Sequence, residues 1–192
     1  MPSGKTHDRV TLWSLPWLVG ISFGITRSGE LTLILAGGYL FSGLMFGPDL
    51  DIYSVQYKRW GILRHIWLPY QKTLRHRSKL SHGLIVGTVL RVVYLLTLVA
   101  LIGALGVAIA QLVLGFPWNW QDFAQSLKMG LIHYRLEAIA LWVGLELGAV
   151  SHILTDTIGS RYKRLQRRQS KPKKAQTRRK TKRKTSRNSR SR

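Results

Sequence analysis

Histidine and aspartate recur in four short clusters of this sequence: Gly4-Lys5-Thr6-His7, Pro48-Asp49-Leu50-Asp51, His76-Arg77-Ser78-Lys79-Leu80-Ser81-His82, and Ser151-His152-Ile153-Leu154-Thr155-Asp156. Imidazole and carboxylate are the donors that suit zinc, iron or manganese, and the chain has no cysteine to compete as a thiolate. Of only eight acidic residues, three lie inside these clusters. Each cluster also stands where a hydrophobic stretch begins or ends. A divalent ion held at the ends of helices is the chemistry this pattern suggests.

Each cluster has a plainer reading beside the metal one. His152 and Asp156 are four residues apart, so on a helix they share a face, where they could ligate one ion or form a His–Asp hydrogen bond that pins the helix end. Asp49 and Asp51 follow Gly47-Pro48 and could both face a cation, or simply end a helix in an Asp-rich turn. His76 and His82 flank a basic loop, with Ser81 a candidate cap for a helix starting at His82. His7 stands near the start of the first apolar run. His65 and His133 are read as structural, and Glu146 as a packed polar contact between helices.

The elements that must position these residues are helical. Leu12–Ile25 and Leu31–Phe46 are apolar runs separated by Arg27-Ser28-Gly29-Glu30, and Gly37, Gly38 and Gly43 allow close helix contact. Both are at or below the roughly 20 residues of a membrane span. Residues 53–79 mix Lys and Arg with Tyr53, Tyr57, Trp60, Trp67 and Tyr70, a combination that suits a membrane interface. Leu84–Phe116 is the strongest span and is longer than a bilayer core requires, so it should tilt or break near Gly103 or Gly106. A Pro/Trp loop at 116–120 and an amphipathic stretch at 121–135 precede a last apolar helix from Ala138 to Ile158.

The expected fold is therefore an all-α helical membrane protein with about four hydrophobic helices. Residues 1–160 form the membrane-embedded metal-binding domain, and 161–192 a disordered Lys/Arg-rich tail. That tail holds 17 of the 30 Lys and Arg and no acidic residue, which explains most of the net charge of +22. It is too poor in apolar residues to offset its ordering entropy. Its expected partners are membrane lipids and, nonspecifically, other polyanions such as nucleic acid. The polar N-terminus lacks the pattern of a cleavable signal.

If the four helices cross a bilayer in turn, all four His/Asp clusters emerge on one side. The same side carries the 53–79 segment and the tail, and an excess of Lys and Arg marks the cytoplasmic face. The expected location is the inner (plasma) membrane, multi-pass, with the C-terminus and the metal cluster in the cytoplasm.

Taken together, the motifs resemble those of metal-binding membrane proteins related to the YdjM type, the LexA-regulated, membrane-bound metal-dependent hydrolases. The resemblance rests on Gly4-x-x-His7, Pro48-Asp49-x-Asp51, His76-Arg77-Ser78-x-x-Ser81-His82 and Ser151-His152-Ile153-Leu154-x-Asp156, in order, and excludes the tail. It implies metal ligands at His7, Asp49, Asp51, His76, His82, His152 and Asp156, a divalent cofactor (zinc, or else manganese or iron), and hydrolase activity. The chain departs from the YdjM pattern at Ile52, where many of those proteins have His, and in a His–His loop one residue longer. It looks closer to an uncharacterised metal-binding branch.

Two functions follow. In the first the protein is a hydrolase of the membrane face, in which the ion acidifies a water and Asp49 or Asp51 takes its proton. In the alternative the ion only staples helix ends together, and the basic tail binds anionic lipid or nucleic acid. The first needs an open coordination position and the second a closed one.

Overall fold

Ser28 joins the first two helices. Helix α1 spans Gly4–Thr26 and α2 spans Gly29–Leu44. The Ser28 hydroxyl accepts from the Leu31 amide at 3.3 Å, satisfying one of the amides that a helix start leaves without a partner. Arg27 takes a positive φ of 52° to make the reversal. The pair forms an antiparallel hairpin: Thr26 meets Thr32 beside the turn (3.3 Å), and Thr11 lies against Gly43 toward the open end. In this computed structural model residues 4–188 are described except Arg75 and Arg77. For Lys79 and residues 168–188 only the backbone is described. The basic side chains at 75, 77 and 79 and beyond Arg167, counted above as membrane-facing charge, lie outside that description.

The C-terminus of α2 is held by its neighbours. A helix end leaves carbonyls without partners. Here the carbonyls of Gly43, Leu44 and Met45 accept from Gln56 (2.8 Å), Arg59 (2.9 Å) and Trp60 (2.9 Å), all supplied by α3 (Val55–Arg59) and the residue after it. Arg59 also grips both oxygens of Asp8 at 2.9 and 2.6 Å. That carboxylate raises the guanidinium pKa above its ordinary value. The 3-10 turn Pro48–Asp51 follows α2 directly, and Gln71 clamps it by donating to the carbonyls of Leu50 and Ile52.

Beneath that turn lies an aromatic core of Phe46, Leu50, Tyr57, Trp67, Tyr70 and Leu145. Trp67 stands edge-on to Phe46, Trp60 and Tyr70, with centroids 5.2–5.6 Å apart. This revises the interfacial reading of residues 53–79. Tyr57, Trp67 and Tyr70 are buried, Trp60 is half-buried, and Tyr53 alone of the five is exposed. Composition could not separate these roles, because a ring that suits a bilayer interface also suits a core. The segment is folded into α3, a 3-10 helix Gly61–Trp67, α4 (Leu68–Thr73) and α5 (Lys79–His82), which turn the aromatic rings inward.

Helix α6 runs unbroken from Val86 to Leu114, through both Gly103 and Gly106. Of the expected tilt or break, the break is absent: an interior glycine costs only about 1 kcal/mol, which the rest of a strongly apolar helix outweighs. Only Gly87, Thr88 and Arg91 of α6 are buried. Helix α7 (Trp120–His133), capped by Asn119, buries none of its residues. Helix α8 spans Arg135–Asn188.

Glycine brings α8 onto α2. A Cβ on Gly148 would stand 2.6 Å from the Tyr39 carbonyl oxygen, and Gly144 abuts the Leu35 carbonyl still more closely. The Gly144-x-x-x-Gly148 spacing thus lets the two backbones touch. Glu146, between them, accepts from the Ile85 amide at 2.7 Å and so caps the start of α6, the interhelical contact expected of it.

Among the described residues the secondary structure is entirely helical. Three segments are long and apolar enough to cross a membrane: Gly29–Asp51, Val86–Leu114 and Arg135–Arg167. Helix α1 is not among them, although Trp13 and Trp17 are largely exposed on it. The described residues divide into two units, one ending at Ile153 and the other starting at Leu154.

Candidate metal centre

Within the first unit, six of the seven predicted ligands converge. His7 enters from the first turns of α1, Asp49 and Asp51 from the 3-10 turn after α2, and His76 from the stretch before α5. His82 ends α5 and His152 comes from α8. Asp156 belongs to the second unit, where it is buried.

The aspartates and histidines are interleaved. His76 Nδ1 lies 2.9 Å from Asp51 Oδ1. His82 Nε2 is 3.7 Å from Asp49 Oδ1, and its Nδ1 is 3.8 Å from Asp51 Oδ2. His152 Nε2 is 3.4 Å from Asp49 Oδ2. The His7 and His152 rings stack, with centroids 4.0 Å apart and planes 14° from parallel. One donor atom from each of Asp49, His76 and His82 can be chosen so that all three lie within 4.8 Å of one another.

Two contacts fix which nitrogens point inward. Asp51, its side chain fully buried, occupies His76 Nδ1 and so leaves Nε2 as the nitrogen open to an ion. The Ser81 hydroxyl lies 2.9 Å from His82 Nδ1, and the tautomer protonated there leaves Nε2 with its lone pair toward Asp49. Such partners orient ligand histidines in metal sites. The cap expected at Ser81 lies elsewhere. Ser78 caps α5, its hydroxyl accepting from the Ser81 amide at 3.2 Å, and α6 starts only at Val86.

The residues fit a divalent cation. Asp49 Oδ1, Asp51 Oδ2, His82 Nε2 and both His152 ring nitrogens are buried without a hydrogen-bond partner. An interior polar atom left that way costs about 1–3 kcal/mol. Several of them gathered around two carboxylates form a donor set that zinc, manganese or iron would satisfy. Outside the cluster, His65 Nδ1 sits on the Ile62 carbonyl and His133 ends α7 beside Tyr134, in keeping with structural roles.

Sequence reasoning missed the residues that hold the cluster. Gln56 and Gln71 clamp the chain on either side of the Asp-x-Asp turn, and Arg91, almost wholly buried on α6, donates to the Ser81 carbonyl at 3.2 Å. A cation inside an otherwise apolar helix was the available signal for Arg91. The Gly144-x-x-x-Gly148 spacing was the signal for the α2–α8 contact.

Residues 2–166 match the family described as "Uncharacterized metal-binding protein (DUF2227)". A protein of Aquifex aeolicus (strain VF5), described as an uncharacterized protein, is 36% identical over 59 residues, which is 30% of this chain. The match covers 41% of that relative's length, so the chain spans about two fifths of it. No solved structure matches the chain significantly.

Proposed function

The chain belongs to the uncharacterized metal-binding family DUF2227, and from that premise we propose that it is an integral membrane protein holding a divalent cation on Asp49, His76 and His82. The observation that carries this reading is the convergence of those three donors within 4.8 Å, from segments that are separate in sequence. Zinc suits the set best, with manganese or iron as alternatives.

The membrane assignment is supported by the three long apolar segments and by the exposure of most of α6, where a bilayer would cover what the protein leaves bare. The excess of Lys and Arg on the side of the cluster orients it, and the C-terminus, toward the cytoplasm of the inner (plasma) membrane. The basic tail adds nonspecific attraction to anionic lipid or other polyanions.

As to activity, we infer a hydrolase acting at the membrane face, on a lipid or phosphoester, in line with the resemblance to the YdjM type. A divalent ion supplies Lewis acidity and an acidified water there. Asp49 holds the centre of the cluster. Asp51 orients His76 through Oδ1, and its Oδ2, without a hydrogen-bond partner, is the oxygen placed to accept a proton. The full burial of the Asp51 side chain favours a second reading, in which the ion only ties helix ends together.

Metal analysis of the detergent-purified protein tests the first claim. Wild type should carry zinc or a related ion, and His76→Ala should lose the ion held with Asp49 and His82; an unchanged metal content would overturn the site. Hydrolysis of a chromogenic phosphodiester by chelated and reloaded protein separates the two activities. If Asp51→Asn keeps the metal and abolishes turnover, the hydrolase reading stands; no turnover in loaded wild type leaves the staple.

A further inference from the structure

We propose that Asp49 bridges two cation positions, one shared with His76 and His82 and the other with His152. The proposal rests on the metal reading of the first position and adds a second one to it.

The two oxygens of Asp49 face different imidazoles. Oδ1 is directed at His82 Nε2 and Oδ2 at His152 Nε2. Donors bound 2.0–2.1 Å from a tetrahedral ion stand about 3.4 Å from each other. The Oδ2–Nε2 separation is 3.4 Å, the spacing of two donors on one such ion. The set of donors that meet within 4.8 Å contains Asp49, His76 and His82 but not His152, so one compact ion site does not gather all four.

His152 supplies the independent evidence. Its side chain is 98% buried, and neither ring nitrogen has a hydrogen-bond partner. A neutral imidazole carries one donor and one acceptor, and Nε2 here faces Asp49 Oδ2 at 3.4 Å without the geometry of a hydrogen bond. A cation between the two satisfies both. A bridging carboxylate is also how two ions are held close enough to act together.

His7 plays a different part. An imidazole directs its lone pair within its own ring plane. Stacked rings only 14° from parallel do not point to a common atom one bond length away, so His7 and His152 as placed do not share an ion. His7 instead covers the ring face of His152. The second position takes Asp49 Oδ2 and His152 Nε2 as its protein donors from the first unit.

Metal stoichiometry of the full chain, loaded with manganese and then desalted, tests this, with electron paramagnetic resonance reporting coupling between neighbouring ions. Wild type should bind two ions per chain with a coupled signal. His152→Ala should bind one, uncoupled, and His76→Ala should lose the other, while Asp49→Ala should lose the coupling and weaken both. Circular dichroism and elution volume show whether each variant is folded, and His152→Gln provides a second, milder substitution at that position. One ion in wild type that survives His152→Ala but not His76→Ala would overturn the bridge and leave the first position standing. One ion lost in both variants would mean a single shared site, which also overturns it. No bound ion in folded wild type would remove both readings.

Discussion

Gly148 touches the backbone of Tyr39 so closely that a Cβ on the glycine would stand 2.6 Å from the tyrosine carbonyl oxygen. The contact sets the distance between two parts of the candidate site. Asp49 lies a few residues beyond the end of α2, and His152 lies one turn beyond Gly148 on α8. We therefore expect Gly148→Val to force the helices apart, destabilise the fold by roughly 1–3 kcal/mol and lower metal retention. Gly37→Ala, with nothing within 4 Å of the added atom, should leave both unchanged or slightly improve stability. Thermal unfolding in detergent with metal analysis checks the pair. Equal effects from both substitutions would show that helix propensity, not packing, governs the outcome.

Arg91 should control the histidine loop without touching an ion. Its guanidinium donates to the Ser81 carbonyl at 3.2 Å and to the Thr88 hydroxyl at 3.0 Å, and Ser81 in turn holds His82 Nδ1. Arg91→Met should weaken metal binding about 10–100-fold, the usual scale for losing a residue that orients a ligand. Arg91→Lys, which keeps a cation and one donor, should recover part of the loss, and His133→Ala should change nothing. Titration with a chelator of known affinity measures all three. Full affinity in a folded Arg91→Met variant would disconnect this arginine from the site.

Alkaline pH should destabilise the aromatic core through Tyr70. Burial pushes its hydroxyl up to about 12 from an ordinary value of 10.0, against the opposing pull of Arg91. The folded state holds this proton more tightly than the unfolded chain does. Its contribution to stability is therefore intact below pH 10 and is lost as pH rises toward 12, a change on the order of 2 kcal/mol. Wild type and Tyr70→Phe should lose stability differently across that window, the variant less steeply. Parallel curves for the two would sink the assignment.

The helical class, the four His/Asp clusters and metal binding could all be read from the sequence. Apolar runs broken by Ser, Gly and Pro are local signals, and donor chemistry belongs to residue type. The gathering of the clusters was an expectation of the proposed topology, in which successive apolar helices would cross a bilayer and return.

Which atom meets which was not legible, since that depends on side-chain direction and on contacts between distant segments. Only the tertiary structure directs the two oxygens of Asp49 to different histidines, places Asp51 behind His76 and lays His7 flat on His152. The same holds for the aromatic segment. Tyr57, Trp67 and Tyr70 carry the composition of a membrane interface, yet packing against Phe46 and Leu145 makes them a core, because burial is decided by neighbours that the local sequence does not contain.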